Sequence, residues 1–370
     1  MTNLPTMKRI DRYILSRYLI TFFFCILLFT LIAVVIDASE KTEDFSRSGL
    51  SFSQLITDYY LGFIPRIDAM LFPLFVFISV IFFTSRMAVR TEIIAILSSG
   101  VSFRRFLLPY WIGGILLAAL LWVANQYVVP VANRKWADFE KKYVDVNMAP
   151  NPQNTTYKQH VYFRMDSGTY ATIKGYDTIS RSGSNLSVST FKNGKMTYNL
   201  RAMSFRWDTV KNKWQLNNVV ERRFMDIREQ VTFSAMRIMN YSFKPIDLRR
   251  DTYLKDQMTT PELDAFIELE RMRGSEMLGT LLMERYNRDA VPVSVLVLTL
   301  IGAILSSRKV RGGSGFHLAL GVLISVSYIL FSRFTHVFAS KSDLHPLLAA
   351  WTPNLLFGIL AVYLYQKAPK

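Results

Sequence analysis

Residues 18–36 read YLITFFFCILLFTLIAVVI, nineteen residues without a single charge. A helix rises 1.5 Å per residue, so a stretch of this length crosses the roughly 30 Å of a bilayer's hydrocarbon core. A helix on the surface of a soluble domain would show polar residues along one face; this one is apolar all round, as a helix in lipid must be. It is too long for the core of a signal peptide, and the following IDASEKTEDF offers no small-x-small cleavage pattern. The stretch is read as a first membrane span.

Five further stretches meet the same test: Leu61–Phe83, Phe106–Val129, Val291–Ser307, Phe316–Phe338 and Leu347–Tyr365. The second span carries Arg66 and Asp68 near its start, and the fourth is short. The chain has 370 residues, of which 51% are apolar, a fraction close to that of soluble domains. The distribution decides instead. Apolar blocks sit toward both ends and a polar block fills the middle, which excludes an ordinary soluble enzyme and a disordered chain. Cys25 is the only cysteine and lies in an apolar run, which excludes a disulfide scaffold.

The net charge of +16 is mostly an orientation signal rather than a nucleic-acid footprint. Thirteen basic residues flank the spans on one side: Lys8, Arg9, Arg12 and Arg17; Arg86, Arg90, Arg104 and Arg105; Arg308, Lys309 and Arg311; Lys367 and Lys370. The opposite short loops hold only Lys41, Arg47 and Lys341. The positive-inside rule then places both termini in the cytoplasm and the polar block on the outer side.

In that block, strands alternate at Val161, Phe163 and Met165 and at Leu186, Val188 and Thr190, with similar patterns at Ala202–Trp207 and Trp214–Val220. Turn signals stand at Asp166-Ser167-Gly168, Ser182-Gly183-Ser184 and Asn193-Gly194. Short strands so punctuated predict an antiparallel sandwich or jelly roll, continued by Arg222–Leu248. Such a domain is either a plain spacer or a module with a hydrophobic interior and a free edge for partners. Thr260 as N-cap and Pro261 at the first helical position then open an amphipathic helix to Arg273, with Leu263, Phe266, Ile267 and Leu269 on its apolar side. That face is read either as docking on the membrane surface or as packing on the jelly roll. A second helix runs from Ser275 into the fourth span.

Signs of chemistry are missing. No G-x-x-x-x-G-K-[ST] occurs, and Gly312-Gly313-Ser314-Gly315 lacks the lysine, so it is read as a tight turn. His160, His317, His336 and His345 have no zinc-ligand spacing. The chain is therefore expected not to be an enzyme and to bind no cofactor or metal of its own.

The connection between the second and third spans is too long for a bare turn. Ile94, Leu97 and Val101 share one helical face, and Glu92, Ala95 and Ser99 share another. A helix along the membrane surface would bury the first face. The second would either meet a cytosolic partner, with Glu92 on its arginine, or simply be solvated.

At these residues a family becomes recognisable. KRIDRYILSRYL (8–19) with VVIDASEKTEDF (34–45), TEIIAILSSGVS (91–102), RGGSGFHLALG (311–321) and LLAAWTPNLLF (347–357) occur in order around the β block. Together they resemble the permease subunits of the lipopolysaccharide-export ABC transporter, the LptF/LptG (YjgP/YjgQ) family, over nearly the whole chain. Ile96-Leu97-Ser98 departs from the arginine-alanine or similar polar pattern of many members.

The resemblance implies an α+β membrane protein with six transmembrane helices and a periplasmic antiparallel β-jelly-roll domain between the third and fourth. Its expected parts are spans 1–3 over 1–129 with a coupling helix at about 86–105, the jelly roll over 130–255, a helical connector over 256–290, and spans 4–6 over 291–370. It implies the inner membrane of a Gram-negative bacterium. The implied partners are a cytoplasmic ABC ATPase dimer that uses ATP and Mg, a second paralogous permease, periplasmic bridge and bitopic jelly-roll proteins, and lipopolysaccharide, with no nucleic acid. Glu92, Ala95, Ser99, Gly100, Val101 and Ser102 are the implied ATPase-coupling residues. Charges inside a membrane are costly and often functional, so Lys41, Arg66 and Arg333 are candidates to meet substrate phosphates. Against this, Arg66 could pair with Asp68, and Arg333 could snorkel to the interface. The rival reading is a membrane scaffold or sensor whose jelly roll binds a periplasmic ligand. A lipoprotein-release permease fits less well, because its large outer domain follows the first of four spans.

The topology is testable. In intact spheroplasts of a strain expressing the chain without Cys25, a cysteine at Asn193 should react with an impermeant thiol reagent and one at Ser314 should not. The opposite pattern would invert the orientation.

Overall fold

The computed structural model describes residues 8–144, 161–177, 180–225, 228–241, 243–248, 254–275, 277–308, 313–341 and 344–368. Lys309, Arg311 and Lys370 of the orientation count, His160, and Gly312 of the glycine turn lie outside them. Among the described residues, six helices are long and apolar enough to cross a bilayer: α1 (Arg9–Glu40), α3 (Phe52–Val89), α5 (Phe103–Phe139), α8 (Leu278–Ser306), the Ala319–Ala339 stretch of α9 (Gly313–Lys341), and α10 (Pro346–Gln366). Shorter helices are α2 (Thr42–Ser48), α4 (Glu92–Ser98), α6 (Leu254–Gln257) and α7 (Thr260–Arg273). An antiparallel sheet is inserted between the third and fourth spans, so the chain is an α+β membrane protein of the expected class. It divides into two compact units: the helical bundle with residues 255–263, and the sheet with residues 264–278.

The helices outrun the apolar stretches that announce them. α8 begins at Leu278, close to the Ser275 start read for the helix that runs into the fourth span, and carries charges before the span that pair with one another, as Arg285 does with Asp289 and Arg288 with Glu284. Gly313–Gly315, read as part of a turn, already belongs to α9.

Lipid tails are as apolar as leucine, so spans associate through close packing and hydrogen bonds rather than through the hydrophobic effect. Both devices are present. A Cβ on Gly113 of α5 would stand 2.6 Å from the Tyr18 ring of α1, and one on Gly62 of α3 would stand 2.8 Å from the Ala132 carbonyl of α5. Only glycine lets those helices approach so closely. Hydroxyls join the spans between the glycines: Tyr18 to Thr299 at 3.2 Å, Thr84 to Tyr110 at 2.8 Å, and Tyr328 to Asn354 at 2.9 Å. The α5 backbone widens to a π-turn at Ala124–Val128, just before Pro130, whose ring would otherwise collide with the carbonyl four residues back.

The sheet unit holds β1 (Val161–Arg164), β2 (Thr169–Asp177), β3 (Ser182–Lys192), β4 (Lys195–Asp208), β5 (Lys213–Met225) and β6 (Arg228–Met239), each antiparallel to the next. The described strands thus run up and down in sequential order in one jelly-roll-like sheet. Asn193-Gly194 makes the expected two-residue hairpin, both residues having positive φ. Ser182-Gly183-Ser184, read as a turn, instead lies inside β3. Gly183 is there because a Cβ would meet the Phe205 ring and, at 2.6 Å, the Gly175 carbonyl.

One face of the sheet is the core: Ala171, Ile173, Leu186, Val188, Leu200, Ala202, Phe205, Trp214, Leu216 and Val219, joined by Phe243 and Leu248. Trp214 is fully buried, donates its indole N–H to the Phe243 carbonyl at 2.8 Å, and meets the rings of Phe205, Trp207 and Phe243.

Trp214→Ala should therefore cost the sheet unit about 3–5 kcal/mol. Trp214→Phe should cost less, mainly through the carbonyl left without its donor, about 1–3 kcal/mol. Proteolysis of the full-length chain in detergent checks this: cleavage within 161–248 should speed up in the order wild type, Phe, Ala. Equal rates would show that Trp214 does not hold the sheet.

Candidate functional site

The connection between α3 and α5 reverses the chain through Thr91, whose φ of 61° is left-handed. That turn sets the rotation of α4. Ile93 is buried at 1% exposure, Ile96 and Leu97 pack against the same core, and Ile94 is left 53% exposed. Of the face expected inside, Leu97 is inside as read, whereas Ile94 is outside and Ile93 and Ile96 take its place. The expected helix over about 86–105 is also shorter. Residues 86–89 finish α3, 103–105 start α5, and α4 stops at Ser98, so Val101 is not on it. Gly100 follows at φ 85°, a conformation suited to glycine, and the Ser102 hydroxyl accepts the Arg105 N–H to cap α5.

Of the residues read as coupling to an ATPase, Ala95, Ser99, Gly100 and Ser102 are exposed, while Glu92 and Val101 are half-buried. Glu92 opens the first turn of α4 and forms no ion pair among the described residues. The result is a short ridge anchored by Ile93, with Ile94, Ala95 and Ser98 on its open side.

The three candidate cations do not gather. Lys41 and Arg66 meet on one indole: Lys41 Nζ lies 5.8 Å from the Trp136 ring centre and the Arg66 guanidinium 3.7 Å from it. Lys41 is also ion-paired to Glu140 and sits 4.9 Å from the Tyr59 ring. Tyr59 in turn donates its hydroxyl to Asp37 at 2.9 Å. Lys41 is therefore neutralised inside an aromatic cluster at the end of the spans where the sheet is inserted. Arg66 does not take the pairing with Asp68, which accepts instead from Thr30 at 2.6 Å. Arg333 is exposed on α9 and makes neither of these contacts.

The sequence reading missed a polar network at the same end of the bundle. Arg288, only 4% exposed, donates to Glu284 at 3.2 Å, to the Thr260 hydroxyl at 3.1 Å and to the Lys255 carbonyl at 3.0 Å. The Thr260 hydroxyl donates to Gln126, whose amide donates to Asp289 at 3.1 Å. Trp122 and Arg285 also donate to Asp289. Asn133 and Arg134 hold the carbonyls of Asp256 and Gln257. Thr260 is thus a member of this network and not an N-cap; α7 is capped one residue earlier, where Glu262 accepts the Thr259 N–H at 2.8 Å. The available signal was the run Glu284, Arg285, Arg288, Asp289, four charges on adjoining helical faces beside a membrane span.

On the sheet, Glu221 is buried in the row of Leu200 and Val188 and is ion-paired to Arg237 of β6. β6 ends the order of described strands, and its opposite face exposes Val231, Phe233, Met236 and Ile238, Phe233 at 76%. An unpartnered edge beside an apolar row is a surface that another strand can extend.

Burial pushes the Asp256 carboxyl up to about 6; Glu284 adds to the shift, while Lys255, Arg66 and Arg288 oppose it. A carboxyl raised in the folded state lends stability below its unfolded pKa and loses it as pH rises through about 6. Asp256→Asn removes that loss. The melting temperature of Asp256→Asn relative to wild type should therefore rise between pH 5 and pH 7.5, by about 2–4 °C for each kcal/mol released. A difference that stays flat over this range would show that Asp256 ionises normally.

The family model for the lipopolysaccharide export system permease LptF/LptG matches residues 12–367. Comparison with curated proteins gives no match.

Proposed function

Because this chain belongs to the lipopolysaccharide export permease family LptF/LptG, we propose that it is a permease subunit driven by a separate cytoplasmic ABC ATPase, pairing with a second, paralogous permease. In this reading both termini and α4 face the cytoplasm of a Gram-negative cell, and the sheet stands in the periplasm. ATP and Mg act on the partner, not on this chain. Lipopolysaccharide leaves the inner membrane through the bundle and passes by the apolar face of the sheet to a periplasmic bridge.

The observation that carries the reading is α4. A seven-residue helix is too short to be stable alone. Here it is fixed by Ile93 against the core of the bundle while Ile94, Ala95 and Ser98 remain open. A rigid ridge with an apolar tip and small flanks suits a groove on a partner, and a push on it is delivered to α3 and α5. The β6 edge supports the other half of the proposal. Strand addition there by a bitopic or bridging jelly-roll protein would extend the sheet and cover Phe233 and Met236.

Glu92→Lys tests the coupling. If Glu92 meets an ATPase arginine, the substitution replaces a charge-assisted hydrogen bond worth about 1.5–3 kcal/mol with repulsion. Export complementation should fall, and less ATPase should be retained through purification in detergent. Folding should change by no more than about 0.5 kcal/mol, since among the described residues nothing pairs with this side chain. Arg90→Glu, in the turn before α4, is the control. Wild-type export and ATPase retention in Glu92→Lys would refute the coupling through Glu92 and favour a merely solvated helix.

A further inference from the structure

A groove of about 990 Å³ lies between α5, α8 and α10, at the end of the bundle that carries the basic loops. Its walls are apolar, with Leu107, Trp111, Leu300 and Val362 among them, and Ser102, Arg104 and Arg105 stand at one end. It spans Arg104 to Trp111 on α5 and Gly358 to Tyr365 on α10, about 10 Å along each helix, which fits within one leaflet. It opens outward past Trp111 and Val362, both well exposed.

We propose that this groove holds one anionic phospholipid, its acyl chain along the apolar wall and its phosphate on Arg104. The proposal rests on the orientation given above only in naming the leaflet, the cytoplasmic one. The charges at the mouth differ in availability. Arg105 is committed to Asp11 on α1, whereas Arg104 is exposed and forms no ion pair among the described residues. The apolar wall cannot select a ligand, because any lipid tail suits it equally. Selection therefore falls to the headgroup, and basic pockets between spans on the cytoplasmic side suit anionic ones. The place matters as well as the chemistry. Ser102 caps α5 and ends the link from α4, so an occupant here rests against the joint between the coupling helix and the third span.

The test uses the full-length chain, purified with its partner subunits in detergent and equilibrated with equal amounts of phosphatidylglycerol and phosphatidylcholine. Native mass spectrometry counts the retained lipids. The wild type should hold phosphatidylglycerol in about fivefold excess, the worth of one basic residue near a membrane surface. Arg104→Gln should bring the ratio close to one. Gly358→Phe is the second variant: a Cβ at Gly358 meets nothing within 4 Å, so the ring enters empty groove and the fold is spared. It should remove one retained phosphatidylglycerol while leaving the melting temperature unchanged. Equal retention of the two lipids by the wild type, or a preference that survives both substitutions, would overturn the site. Loss of a partner subunit on Gly358→Phe would also overturn it, by showing that protein covers the groove. The readout is lipid retention and not export, so failure here and failure of the coupling reading are separable.

Discussion

The buried guanidinium of Arg288 holds together the place where the chain leaves the bundle and the place where it returns. An ion of that size cannot be taken out of water without partners, and removing one partner from a buried pair typically costs about 3–5 kcal/mol. Arg288 answers the constraint with three acceptors on two segments: Glu284 on its own helix, and Thr260 and the Lys255 carbonyl on the returning strand of chain. Thr260 then passes the connection to Gln126, on the helix by which the chain left. The π-turn at Ala124–Val128 matters here because it contains Gln126. A regular α-helix running into Pro130 would turn that side chain to another bearing.

Elsewhere in the bundle, polar atoms are placed with the same economy. Asp37 is 8% exposed near the end of a span and is met by the Tyr59 hydroxyl; Asn354 is 5% exposed and uses its carbonyl on Tyr328 and its amide on the Ala290 carbonyl. The Asn354 bonds join helices that also meet at Ala290, Ala339, Ala349 and Ala350. In lipid this combination takes the place of the hydrophobic effect, which gives no preference for helix against helix over helix against tail. In the sheet unit the balance is the ordinary aqueous one, with a face of aliphatic and aromatic side chains closed over Trp214.

What the sequence made legible follows from this difference. Spans are fixed by a property of the chain alone, length of apolar run against bilayer thickness, so all six could be read. The Asn-Gly hairpin could be read because its backbone geometry is local. Gly183 could not, because its reason is a ring from another strand, Phe205, lying over it. On α4 Leu97 could be read as inside, but the exchange of Ile94 for Ile93 could not, because Thr91 adopts a left-handed conformation that threonine seldom takes, and no periodicity announces it. Lys41 and Arg66 were recognised as costly charges, but their partners, Glu140 and Trp136, lie far along the chain and carry no motif. The charges of α8 were in plain view; their meaning needed the fold to bring Thr260 and Gln126 to them.

The geometry of α3 bears on how a push at one end could act at the other. With 38 residues it is about 57 Å long, well beyond the roughly 30 Å of hydrocarbon. Its last turns adjoin α4, and its stretch from Phe75 to Phe83 is packed in the core, so this part can only move as a rigid piece. Pro65 and Pro73 precede it, each removing a backbone hydrogen bond. In that interval Asp68 takes its hydrogen bond from Thr30 of α1. α1 is the span with the least protein around it, showing Ile20, Phe24, Leu27 and Leu31 to the outside. Phe22 and Phe29 of α1 meet the rings of Phe72 and Phe75 of α3, so under the proposed coupling displacement of α4 reaches α1 through these rings and the Thr30–Asp68 bond, while the Tyr59–Asp37 bond and the Lys41–Glu140 pair hold its far end. The span that shows most of its surface to lipid is then the one that receives the motion, as a lateral opening requires.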